Sequence, residues 1–245
     1  PFLSKATGIP LAKAAARVML GRTLADLGLT DDLPVAGVFV KTPVFPFVRF
    51  SGVDIMLGPE MKSTGEAMGC GPTFGVAFAK AQVSVGQTLP GSGLVFISVN
   101  DHDKPTALPI VKDLSDLGFS LAATRGTAAF LGAHGLPAEV MYKVNEGRPN
   151  IADHVVNGRI ALVLNTPLGR ASYYDDRALR RAAMTTGVPC ITTLTGAAAA
   201  VAAIRAMRNH TPDPRALQDY HAASATLAAP ADGRTGTPEQ DRGSA

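Results

Sequence analysis

From Leu94 to Met207 the chain repeats one pattern: a short apolar run, a turn, and a stretch with helical periodicity. Leu94–Val99 (LVFISV) is the first run, dense enough in large apolar residues to be a buried strand. Asp103 then stands where a helix begins, with Pro105 in its first turn, and Leu108, Val111, Leu114 and Leu117 form an inward stripe before Gly118 ends it. The second run opens the segment Phe119–Leu131 (FSLAATRGTAAFL), turns at Thr124-Arg125-Gly126 and reads as helix from Thr127. Strands follow at Glu139–Tyr142, Ile160–Leu164 and Val188–Thr192, with helices at Ile151–Val156, Asp176–Met184 and Gly196–Met207. Five strands alternating with helices specify an α/β fold, a five-stranded parallel sheet with helices on both faces.

An open sheet of this kind binds ligands at the carboxyl ends of its strands, and the polar residues fall there. Ser98 closes the first strand and Lys104 follows a short loop. Thr124 and Thr127 flank the second turn, Lys143 follows the third strand, and Asn165 and Thr166 end the fourth with Arg170 just beyond. The Thr124–Thr127 turn feeds a helix, so it presents backbone N–H groups and the positive end of a helix dipole, and its two threonines add hydroxyl donors. Gly126 lets backbone approach a ligand closely. Taken singly, each residue has a plainer reading: Thr124 as a helix cap, the lysines as solvated surface, Asn165 as a turn former. As a set they suit an anionic, hydroxyl-rich ligand.

Composition narrows the class of ligand. Hydrophobic residues make up 46% of the 245, enough for a large core, and the net charge of +3 comes from scattered lysines and arginines. That favours small anions and gives no basic stripe for nucleic acid. Cys70 and Cys190 have neither metal-ligand spacing nor a disulfide framework, which suits a reducing cytoplasm. The longest apolar helical stretch, Gly196–Ile204, is too short to span a bilayer. A soluble, cytoplasmic protein with no membrane partner is expected.

The first third is less regular. Pro10–Gly21 is an amphipathic helix, Leu24–Gly28 a further helical turn, and Val38–Phe47 an edge strand limited by Pro43 and Pro46. Gly58–Gly71 (GPEMKSTGEAMGCG) reads as a glycine-punctuated loop, with Glu60, Lys62 and Glu66 as solvated ion pairs, and Thr73–Val83 as a helix capped by Thr73. Such a set has too little sheet to stand alone, and the start at Pro1-Phe2-Leu3 reads as a cut through a longer polypeptide. The expected organisation is a remnant at 1–86, a Pro/Gly/Ser linker at 87–93, the α/β domain at 94–221 and a disordered tail at 222–245.

The segments PFLSKATGIPLAKAAARVMLG and GPEMKSTGEAMG closely resemble the end of the second ATP-grasp half of the carbamoyl-phosphate synthase large subunit. SLAATRGTAAFL, MYKVNEGRPNIADHVVNG and LVLNTPLGR resemble the regulatory domain that follows it, a methylglyoxal-synthase-like fold. The resemblance runs from Pro1 to about His221. It implies a regulatory module that binds UMP or IMP at one overlapping site, in an enzyme making carbamoyl phosphate from bicarbonate, ammonia and ATP for arginine and pyrimidine synthesis. Which nucleotide binds, and with what sign, stays open. The implied contacts are Lys104, Thr124, Thr127, Lys143, Asn165 and Thr166, completed by Ser98 and Arg170. The family's ATP and magnesium (or manganese) ligands lie upstream of Pro1, so no catalytic residue and no cofactor is carried into this chain. The implied partners are the glutaminase small subunit and other large subunits.

Two departures from the family stand out. Pro167 occupies a position where some members have a second threonine. Where the enteric-type enzymes bind ornithine through a Glu and a Tyr, this chain has Thr42 and Cys190, keeping only Thr192, which implies weak or absent ornithine activation. In the segment Lys143–Asp153, Glu146 and Arg148 are expected to hold the loop by a local ion pair, the alternative being that Arg148 frames the mouth of the nucleotide site. A second reading, a stand-alone methylglyoxal-synthase-like lyase, lacks the Gly-Gly-Asp segment after the fourth strand, and its candidate histidines, His134 and His154, fall on helices away from the strand ends.

Overall fold

The computed structural model describes residues 1–32, 35–47, 59–166, 173–209 and 213–228. They fall into two compact units, residues 1–36 with those from 215 onward, and residues 37–214.

The first unit is helical: α1 (Phe2–Thr7), α2 (Leu11–Met19), a 3₁₀ turn at Ala25–Leu27 and, from the far end of the chain, α9 (Leu217–Ala228). Two hydrogen bonds tie α9 to the start of the chain. The His221 ring meets the Lys5 carbonyl at 2.6 Å, and the Ala36 N–H donates to the buried Ser224 hydroxyl at 2.9 Å. Residues 222–228, within the segment expected to be disordered, are the second half of α9.

In the second unit, β3 (Leu94–Ser98), β4 (Ser120–Ala123), β5 (Glu139–Val140), β6 (Ile160–Asn165) and β7 (Cys190–Ile191) form the expected five-stranded parallel sheet. Their order is β5-β4-β3-β6-β7. The chain therefore builds outward from β3 in one direction and then crosses to its other side with β6. The carboxyl ends of β3 and β6 open a crevice where the winding reverses.

Strand periodicity sorts the core. Val95 and Ile97 point to one face, with Leu114 of α4 (Lys104–Asp116), Leu131 of α5 (Arg125–Ala133) and Ile204 of α8 (Leu194–Asn209). Phe96, between them in sequence, points to the other, with Val155 of α6 (Ile151–Val156) and Leu179 of α7 (Tyr173–Thr186). Helices cover both faces, as the alternating pattern requires. Leu89, in the middle of the segment expected as a linker, is buried in the first of these clusters.

The first third departs from expectation at one place. Gly65–Gly71 is not loop but a strand, β2, pairing antiparallel with β1 (Val38–Val44) from Val38↔Gly71 to Val44↔Gly65. Gly69 and Gly71 are there for close approach and not for a turn. A Cβ on Gly69 would lie 2.0 Å from the Ala77 carbonyl oxygen of α3 (Phe74–Ser84) and 2.5 Å from the Ala81 nitrogen. The other face of α3 is equally tight: a Cβ on Gly75 would lie 2.5 Å from the Ala202 carbonyl oxygen of α8. Thr73 caps α3 as expected, accepting from the Val76 N–H. Gly58 lies outside the described residues.

Candidate functional site

The crevice at the carboxyl ends of β3 and β6 is a cleft of about 760 Å³. Its walls are made by the β3–α4 loop, the β4–α5 turn, the loop after β5 and the end of β6.

At the β4–α5 turn the chain leaves β4 at Ala123 and enters α5 at Arg125, two residues earlier than the sequence pattern suggests. Thr124 holds the cap position in extended conformation, but its side chain makes no cap bond. Its hydroxyl donates instead to Thr127 Oγ1 at 3.2 Å, and the Thr127 hydroxyl donates to the Val99 carbonyl at 3.4 Å. Both threonines are buried. The first helical hydrogen bond of α5 is from the Ala128 N–H to the Thr124 carbonyl, so the N–H groups ahead of it belong to the helix's unsatisfied first turn. A Cβ added to Gly126 would meet nothing nearer than the Lys104 ammonium at 3.7 Å, so this stretch of backbone is open to the cleft.

Lys104 opens α4 and brings its ammonium across to that turn, 3.0 Å from the Gly126 carbonyl oxygen. Asp101 pairs with it at 2.6 Å, and this bond and charge hold the Asp101 carboxyl below the usual carboxylate range. Asp103, expected as the cap of α4, makes no cap bond. It bonds to the cleft wall from behind: Asn100 donates to it at 2.6 Å and its own N–H donates to Asn100 Oδ1 at 2.8 Å. A hydrogen bond from the Thr166 hydroxyl, opposed by partial burial and aided by Asn100 and His102, keeps its carboxyl below the usual range.

Ser98 and Asn165 are register partners at the ends of β3 and β6, and the Thr166 N–H donates to the Ser98 carbonyl at 3.0 Å. Asn165 is 1% exposed, a buried amide at the bottom of the crevice. Lys143 lines the opposite wall on a loop that is mostly exposed. The ion pair expected between Glu146 and Arg148 is replaced by two separate contacts. Glu146 accepts from the Lys143 N–H at 2.9 Å, and Arg148 lies 3.9 Å from Asp153. Asn150 closes the loop by capping α6: its side chain accepts from the Ala152 and Asp153 N–H groups, and its own N–H donates to the Asp153 carboxylate.

Seven of the eight residues singled out from sequence therefore line one cleft: Ser98, Lys104, Thr124, Thr127, Lys143, Asn165 and Thr166. Arg170 and Pro167 lie outside the described residues. Sequence reasoning missed Asp101, Arg125 and Glu146, which bring further charge to the walls, and the apolar lining by Val144, Ile151 and Leu179. Asp101 was within reach, being three residues from Lys104 at a helix start. Leu179 was not, because only the fold brings α7 to the cleft.

Among the described residues no group of three His, Cys, Asp or Glu side chains is placed to hold a metal ion. No described helix is long and apolar enough to cross a membrane.

Comparison with known proteins bears on the same region. The MGS-like domain family matches residues 106–192. The carbamoyl phosphate synthase large chain of Acidobacterium capsulatum is 50% identical over 231 residues, covering 92% of this chain and 21% of the relative. That of Rubrobacter xylanophilus is 52% identical over 225 residues, 91% of this chain and 21% of the relative. The archaeal one of Methanothermobacter thermautotrophicus is 49% identical over 221 residues, 90% and 21%. The chain thus spans about a fifth of the length of these curated relatives. Sequence and sheet together align this chain with the C-terminal region of carbamoyl phosphate synthase large chains, with an MGS-like domain as its α/β core.

Proposed function

We propose that this chain is the nucleotide-binding regulatory end of a carbamoyl phosphate synthase large chain. The observation that carries the reading is the convergence on one cleft of Lys104, a helix N-terminus with two buried threonines, Lys143 and a buried Asn165. The turn and Lys104 suit a phosphate, which takes backbone N–H groups, hydroxyls and a point charge. The Asn165 amide and the apolar side under Ile151 and Leu179 suit a ribose and base. UMP and IMP are the ligands proposed.

In the complete enzyme the nucleotide would act through its differential affinity for two states of the synthetase, which uses ATP and a divalent metal to make carbamoyl phosphate from bicarbonate and ammonia. A glutaminase small subunit would supply the ammonia, in the cytoplasm, for arginine and pyrimidine synthesis. Contacts with other large subunits would complete the assembly. Residues 1–86 are read as the end of the synthetase half and 94–221 as the regulatory module, with no catalytic residue in either.

Calorimetric titration of this chain with UMP and IMP tests the reading, with a Lys104→Ala, Lys143→Ala variant beside it. Saturable binding that the variant loses supports it. Absence of binding in a chain that melts cooperatively would overturn it.

A further inference from the structure

Lys104 is already neutralised before any ligand arrives. Its ammonium is 2.6 Å from the Asp101 carboxylate and 3.0 Å from the Gly126 carbonyl, with the Phe130 ring centroid 5.9 Å away. The two members of the ion pair are placed very unequally. The Lys104 side chain is 14% exposed and that of Asp101 is 94% exposed. The lysine is part of the wall, and the aspartate reaches it from solvent.

The ammonium that Asp101 occupies is the one beside the first turn of α5. An ionised carboxylate is an acceptor-only group, as a phosphate oxygen is, and both make the same charge-assisted bond to an ammonium. Among the described residues of the cleft no second acid stands ready to take the place of Asp101. Asp103 is engaged by Asn100 and Thr166, and Glu146 by the Lys143 amide.

We propose that Asp101 is an internal competitor for the anionic group of the ligand, and so a determinant of the affinity of this cleft. The proposal rests on the reading of the cleft as a phosphate site. Binding is then an exchange of counter-ions. The Asp101 carboxylate leaves Lys104 for water, to which it is already almost fully exposed, and a phosphate oxygen takes its place on an ammonium that need not move. An ion pair whose carboxylate is almost fully solvated is weak, so the exchange lowers affinity without blocking the site. The effect is to keep the cleft empty until the ligand is abundant, which is what a sensor of ligand concentration requires.

The test is calorimetric titration of the whole chain with UMP, comparing the native protein with Asp101→Asn and with Asp113→Asn. Asp113 lies on α4 with Lys104 but pairs with Arg205 at 2.9 Å, outside the cleft, so its substitution makes the same charge change without touching Lys104. Asp101→Asn is expected to bind about twofold to tenfold tighter, and Asp113→Asn to match the native chain. Equal or weaker binding by Asp101→Asn would mean that Asp101 positions Lys104 and does not compete, which overturns the proposal and leaves the phosphate reading intact. Equal tightening in both variants would reduce the effect to net charge and overturn it too. If neither the native chain nor Asp101→Asn binds while both melt cooperatively, the phosphate reading fails and the proposal fails with it.

Discussion

The two sides of the cleft are built to different standards. On one side, Thr124 and Thr127 are buried, bonded to each other and to the Val99 carbonyl, and overlaid by a lysine with 14% exposure. On the other, Lys143 and Glu146 sit on an exposed loop held by the Glu146 bond to the Lys143 N–H and by Asn150, which donates to the Val144 carbonyl and caps α6. The first side has few conformations to lose when a ligand binds, and the second has many. Binding energy therefore concentrates at the buried turn, and the exposed loop is left to adjust to what the turn has seized.

The sharpest way to break this contrast is to remove one lysine from each side. Lys104→Ala is expected to weaken UMP binding about tenfold to a hundredfold, the scale of one charge-assisted hydrogen bond, and Lys143→Ala only about twofold to fivefold. Equal losses by calorimetry would erase the distinction. Thr127→Val comes next. It strands the Thr124 hydroxyl and the Val99 carbonyl in a buried setting, so it is expected to destabilise the fold by about 1–3 kcal/mol in a urea melt, as well as weakening binding. A loss near zero would mean that the hydroxyl pair is ornamental to the fold.

Acid should act on the rigid side as well. Asp103 has a lowered carboxyl pKa in the folded chain, so the stability it contributes is complete above the ordinary carboxylate range and is lost as pH falls through the lowered value. Melting temperature measured against pH should lose part of its acid slope in Asp103→Asn. The smallest effect belongs to the exposed side: Arg148→Ala, at an exposed 3.9 Å contact to Asp153, should change stability by less than about 0.5 kcal/mol.

Much of this contrast was legible in the sequence, and the reason is periodicity. The apolar run Val95-Phe96-Ile97 declared β3, and the polar residues after each strand fell where a parallel sheet must gather them. Local chemistry also sufficed for Thr73 and for the turn at Thr124. What sequence could not show is where packing overrode local signals. Gly69 and Gly71 looked like loop punctuation because a glycine demanded by a helix a few ångströms away reads the same as one demanded by a turn. Asp103 looked like a cap because nothing local revealed that Asn100 and Thr166 would claim its carboxylate. Glu146 and Arg148 are two residues apart and of opposite charge, yet the backbone of Lys143 and the side chain of Asp153 were nearer.

The helix α3 deserves a last consequence. Gly69 admits the backbone of α3 to β2 on one flank, and Gly75 admits α8 to α3 on the other, each at distances that leave no room for a methyl group. Most helix contacts have side chains between the two backbones, and side chains can change rotamer and absorb a displacement. Here backbone lies against backbone, so a shift of α8 has no slack to take up before it reaches the β1–β2 pair. Close packing of this kind leaves little play, so a displacement of α8 is expected to be felt at the β1–β2 pair.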